Sequence, residues 1–157
     1  MIGVNMSAEN RLTEMGLELP EPVRPLASYV TVVQTGNLLF TAGHLPTALN
    51  GKQWEGKVGA TFTIEEAAEA ARLTGMNILA SVRAHIGTLD NVTRGVKLTG
   101  FVNSAPGFSQ QPAVINGCSD LFCDIFGDEG RHARSAVGVA ELPLNTPVEV
   151  EAIFEIS

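Results

Sequence analysis

Basic side chains are scarce in this chain: 10 Lys and Arg stand against 17 Asp and Glu, for a formal net charge of −7 over 157 residues. Nucleic-acid binding needs a basic stripe to displace counterions, so the balance argues against that class of partner. A local anion site is still allowed, but it must work against the mean field. Cysteine is scarcer, with only Cys118 and Cys123. Their spacing fits no zinc pattern and no disulfide framework. On a helix they point about 140° apart, which leaves two small hydrophobic side chains. No apolar run approaches a membrane span, and no basic-flanked apolar leader is present, so no membrane partner and a cytoplasmic location are the expectations. Charged residues make up 17% and hydrophobic residues 45%, the balance of a folded chain with one real core.

The pattern along the chain alternates short strands with two long amphipathic helices. Ser7 to Met15 reads as a short helix, capped by Ser7 and stopped by Gly16. Three prolines make Leu17 to Pro25 extended. Val30 to Thr35, the turn pair Gly36-Asn37, and Leu38 to Ala42 form the clearest hairpin. Gly43 to Gly59 is a loop with a turn signal at Asn50-Gly51, and its Trp54 either covers a pocket or anchors the loop. Thr63-Ile64-Glu65-Glu66 is a capping box that opens a helix to about His85, with an Ala-rich apolar stripe, closed by Gly87. Val92 to Val102 is a strand in which Gly95 and Gly100 mark a bend or a close backbone approach. A second helix runs from Gln110 or Gln111 to Phe126, with Pro112 in its first turn. Ala133 to Val139 and Val148 to Ile156 are the last strands, the final one alternating cleanly. The order predicts an α+β domain: a mixed sheet with two helices on one face. The other face, read as small and polar, is left for a closed oligomer to cover.

The residues with chemistry lie on the last two strands. Counting by twos from Arg134 gives Ala136, Gly138 and Ala140, a small floor beside one long guanidinium. Arginine suits a carboxylate, which it grips through two parallel N–H···O bonds. Glu149 on the next strand can move a proton. Against this stand a surface arginine in a modest ion pair, and a solvent-facing Glu149 beside its same-face neighbour Glu151. If both carboxylates are close and ionised, each raises the other's pKa. A simple final hairpin sets Glu149 opposite Val139, roughly 17 Å from Arg134 along the strands. Either these strands are not hairpin partners, or the two groups meet across a subunit interface. His44, His85 and His132 lack metal-ligand spacing, so no metal is expected. His85 suits the end of its helix, and His44 in the turn after the hairpin is a candidate substrate contact.

Tyr29, Thr41-Ala42-Gly43-His44-Leu45-Pro46, Ala133-Arg134-Ser135 and Glu149-Val150-Glu151-Ala152-Ile153, in this order of elements, resemble the RidA/YjgF family from about Tyr29 to the C-terminus. The resemblance implies a chorismate-mutase-like fold over residues 26–157, with residues 1–25 as an N-terminal extension carrying the short helix. It implies a homotrimer with ligand clefts between subunits. It also implies hydrolysis of reactive enamines and imines to 2-oxo acids and ammonia, with no metal or cofactor. On this reading Arg134 binds the substrate carboxylate and Glu149 serves the reacting water. Tyr29, Gly43, His44, Asn116 and the backbone at Ala136 line the cleft. The sequence departs from the family where Ala136 replaces a common cysteine, Ala42 a serine, and Ala27-Ser28 a Gly-Pro. The alternatives are non-catalytic binding of small carboxylic acids such as 2-oxo acids, and endoribonuclease activity, which the acidic charge counts against.

Overall fold

The computed structural model describes residues 6–47 and 51–157, so Asn50 of the expected Asn50-Gly51 turn lies outside the described residues. In chain order the elements are α1 (Ala8–Glu14), β1 (Val32–Thr35), β2 (Leu38–Thr41), α2 (Ile64–Ile86), β3 (Val92–Asn103), α3 (Gln111–Phe126), β4 (Ala133–Val139) and β5 (Val148–Ile156). Short 3₁₀ turns precede β3, β4 and β5.

The five strands form one sheet in the order β1-β2-β5-β3-β4. All neighbours are antiparallel except β3 and β4. A parallel pair needs a crossover, and α3 supplies it. The two final strands are therefore not hairpin partners: each pairs with β3, from opposite sides. Of the two alternatives left open by the sequence, the first holds: these strands are not hairpin partners. The connection passes through Pro143–Asn145, where Leu144 and Asn145 both hold positive φ.

α2 and α3 cover one face. α2 begins with the expected reciprocal capping box: Glu66 N–H donates to Thr63 Oγ1 at 3.2 Å, and Thr63 N–H donates to Glu66 Oε2 at 2.9 Å. The core joins Ile78, Leu79 and Val82 of α2 with Ile115, Leu121, Phe122 and Ile125 of α3, over Leu98, Val150 and Phe154 of the sheet. Small residues let these layers approach. A Cβ on Gly117 of α3 would collide with the Ala68 carbonyl oxygen of α2, and one on Gly100 would lie 2.5 Å from the Ile115 side chain. Gly117→Ala is accordingly expected to lose about 1–3 kcal/mol of stability, read from the urea midpoint, because the two helix backbones must separate.

The N-terminal helix belongs to the same core. Leu12 is only 3% exposed. The Glu9 carboxylate accepts from Leu89 N–H at 2.9 Å and pairs with Arg83 at 3.2 Å, while Arg11 reaches the Ile125 carbonyl at 3.4 Å. Trp54 is the loop's anchor. It is buried against Phe62, with Lys52 Nζ 4.0 Å from its ring centre. The uncovered sheet face is more apolar than its small and polar expectation: Val33, Phe40 and Val137 are exposed on it. Cys118 is fully buried and Cys123 partly so, and they are unbonded to each other.

Candidate functional site

The Glu149 side of the site is built by a bulge. β2 ends at Thr41, the chain swings out through Ala42-Gly43, and His44 rejoins β5 through reciprocal backbone bonds to Val150 of 2.8 and 3.1 Å. The bulge faces Glu149. A Cβ on Gly43 would overlap the Glu149 Oε1 and lie 2.9 Å from its Cδ. The glycine is needed for this close approach rather than for an unusual φ. A cleft of about 210 Å³ opens here, lined by Tyr29, Thr31, Gly43, Thr47, Pro143 and Glu149 among others. The Glu149 carboxyl is held above its ordinary value, first by burial and then by the Glu151 carboxylate on the same strand face.

His44 borders this cleft, yet both its ring nitrogens are engaged by the protein. Nδ1–H donates to the Ala42 carbonyl at 2.7 Å, and Nε2 accepts from the Ser81 hydroxyl at 2.9 Å. The ring staples the bulge to α2, which gives this candidate substrate contact a structural task. Burial lowers its pKa from 6.5, so it is neutral at pH 7. Below about pH 6.5 the unfolded chain takes up a proton that the folded His44 resists, so this contribution to stability falls as pH drops through that value. His44→Gln is expected to shrink the loss of urea resistance between pH 7.5 and 5.5. The loss does not vanish, because burial lowers the His132 pKa as well.

Arg134 lies on β4, the edge strand, with its side chain on the helix-covered face. Its Nη1 donates to Asn116 Oδ1 at 2.7 Å and to Ser119 Oγ at 3.1 Å, both on α3. Ala136 follows on the same face, half-buried against the core. Gly138 comes next, where a Cβ would lie 2.8 Å from Ser104 Oγ. Among the described residues Arg134 has no carboxylate partner. A shallow concavity of about 270 Å³ exposes it together with Ser119, Cys123, Arg131 and His132. Sequence reasoning missed Ser119 and His132 because the histidines were weighed mainly as metal ligands. The signal was there: His132 and Arg134 are i and i+2 on a strand, and Asn116 and Ser119 are i and i+3 on a helix.

The seven expected site residues thus fall into two groups. Tyr29, Gly43, His44 and Glu149 share the cleft, and Arg134, Asn116 and Ala136 share the β4 edge. Arg134 pairs with Leu98 of β3 and Glu149 with Phe101. That offset, across two strand spacings, separates their Cα atoms by roughly 14 Å. Val148 and Val150 are buried beneath the helices, so Glu149 projects from the opposite face of the sheet to Arg134. Within one chain the two groups do not meet. Among the described residues no His, Cys, Asp and Glu cluster is placed to hold a metal ion, and no helix is long and apolar enough to cross a membrane.

The comparisons agree with this architecture. The family described as "YjgF/chorismate_mutase-like, putative endoribonuclease" matches residues 9–156, α1 included. The chain is 44% identical to Protein TCP17 of Trypanosoma cruzi, over 93% of this chain and 92% of that one. It is 31% identical to a 2-iminobutanoate/2-iminopropanoate deaminase of Dermatophagoides farinae, over 89% and 94%. A crystal structure from Shewanella oneidensis MR-1, titled a "putative endoribonuclease", superposes with a TM-score of 0.92 at 32% identity, covering 96% of this chain and all of that one. The chain belongs to the RidA/YjgF family and has its chorismate-mutase-like fold.

Proposed function

We propose that this protein hydrolyses reactive imines and enamines derived from amino acids to 2-oxo acids and ammonia, without a cofactor, in clefts between the subunits of a homotrimer. The observation that carries the proposal is Arg134: a guanidinium without a carboxylate partner among the described residues, braced from behind by Asn116 and Ser119. An imine of an amino acid supplies the missing carboxylate. The separation of Arg134 and Glu149 onto opposite faces supports a site that draws one group from each of two copies, and the apolar uncovered face supports an assembly that buries it. The deaminase name of the Dermatophagoides farinae relative supports the reaction class.

In this reading Arg134 fixes the substrate carboxylate and sets the C=N carbon against a water held by Glu149. Glu149 takes a proton from the water as its oxygen bonds to carbon and the C=N electron pair moves to nitrogen. The same proton then passes to that nitrogen. The C–N bond breaks as the new hydroxyl passes its proton, through Glu149, to the leaving nitrogen and becomes the ketone, giving a 2-oxo acid and ammonia. General acid–base help of this kind gives on the order of 10²–10⁴ in rate, enough for an already reactive imine.

Ammonia release from imines of several amino acids, generated in place by an amino-acid-oxidising enzyme, tests the reading against Arg134→Ala. Turnover by the wild type and its loss in the variant are expected. The Ala136 and Ala42 departures, which remove a thiol and a hydroxyl from the family pattern, favour a second reading: a binder of small carboxylic acids. Arg134-dependent binding of 2-oxo acids with no turnover in either protein would decide for it.

A further inference from the structure

Behind Arg134 runs a directional chain of hydrogen bonds. Arg134 Nη1 donates to Ser119 Oγ at 3.1 Å. Ser119 Oγ lies 2.9 Å from His132 Nε2, and His132 Nδ1 lies 2.7 Å from the Gly130 carbonyl oxygen. A carbonyl can only accept, so Nδ1 carries the proton and donates. In the neutral ring Nε2 is then an acceptor, and the Ser119 hydroxyl must give its proton to it. With that proton committed, the Ser119 lone pairs are left to face the guanidinium. Every group in the line has one role, and the direction is set at a backbone carbonyl.

The anchor is itself held. A Cβ on Gly130 would collide with the Phe122 carbonyl oxygen, so the turn is packed directly onto the end of α3. The His132 ring stands edge-on to Phe122, with centroids 5.9 Å apart. The charged and titratable groups sharing its concavity are Arg134 from the next inward position, Arg131 from the preceding turn and Cys123 from α3. On β3 the residue opposite Ala133 is Lys97, which faces the other side of the sheet. Burial, with Arg134 as a smaller cause, holds the His132 pKa below 6.5, which keeps the acceptor nitrogen free of a proton at pH 7.

We propose that Ser119 and His132 are positioning residues for Arg134. Together with Asn116 they tie up one guanidinium nitrogen, so that the remaining N–H groups are presented in a fixed plane to a substrate carboxylate. The inference rests on the carboxylate-binding reading of Arg134 and deepens it: two residues that touch no substrate set how tightly the carboxylate is held.

The probe is 2-oxobutanoate, bound by the full chain and followed by calorimetry, with the His132 ring followed by NMR in the free protein. Ser119→Ala is expected to weaken binding roughly tenfold, the loss of one charge-assisted hydrogen bond, and Ser119→Thr to restore it. His132→Gln, which keeps an acceptor near the Nε2 position, should bind more tightly than His132→Ala. In the free protein, His132 should titrate at higher pH in Arg134→Gln and in Ser119→Ala. If Ser119→Ala and His132→Ala bind like wild type while Arg134→Ala does not, the positioning role is overturned and the carboxylate reading stands. Equal weakening in His132→Gln and His132→Ala would also overturn it, since packing alone would explain that. A wild-type chain that binds no 2-oxo acid removes the carboxylate reading and this role with it.

Discussion

Glu149→Gln is expected to lower kcat for imine hydrolysis by roughly 10²–10⁴ while leaving 2-oxo acid binding close to wild type. The amide keeps the size that fits against Gly43 but cannot take a proton from water. The pH profile separates this from a packing effect. The working form is the carboxylate, and burial with Glu151 raises its pKa above the ordinary 4.5. The wild-type kcat/KM should therefore fall on the acid side at a pH above 4.5, and the Gln variant should lack that limb. Stability moves the other way. A raised folded pKa means that the folded chain holds its proton more tightly than the unfolded one, so stability is lost as pH rises through the folded value. Glu149→Gln should thus melt higher than wild type at pH 7.5, with the gain fading below about pH 4.5. A variant that is inactive but less stable at pH 7.5 would mark Glu149 as a structural residue.

Arg134→Ala is expected to weaken 2-oxo acid binding by about 10²-fold and to reduce imine turnover at least as much, since a charge-assisted bidentate grip is among the stronger polar contacts. Arg134→Lys should recover only part, because an ammonium is a point charge without the planar fork. Folding should survive both changes. The side chain sits on an edge strand outside the hydrophobic core, so its loss removes two hydrogen bonds to α3 but no core packing. Calorimetry with 2-oxobutanoate and ammonia release measure the two effects, and unchanged urea midpoints confirm that the fold is intact.

Much of this fold was legible because its signals are local. The Thr63 capping box, the Gly36-Asn37 turn and the alternation in β5 each place an element through residues a few positions apart, and all three stand as expected. The pairing of the last two strands was not legible. Nothing in Pro143 to Pro147 states that β4 joins one side of β3 and β5 the other; that follows from the crossover through α3. The role of Gly43 was hidden for a similar reason. Its neighbour Glu149 is far away in sequence, and only the folded bulge shows that the space of a Cβ is taken by that carboxylate. His44 looked like a cleft histidine because it follows the turn, while its partner Ser81 on α2 could be found only in three dimensions. Arg134 and Glu149 could be named from sequence, but not the sheet that stands between them.

That sheet makes the central claim testable by complementation. Arg134→Ala and Glu149→Gln are each expected to be inactive, yet either one retains the group that the other lacks. Co-refolding equal amounts of the two and measuring ammonia release tests whether the groups work across copies. If each site takes Arg134 from one subunit and Glu149 from its neighbour, about a quarter of the sites in a random mixture are intact, and activity returns to that level. Mixed assemblies that stay inactive would contradict a site shared between subunits.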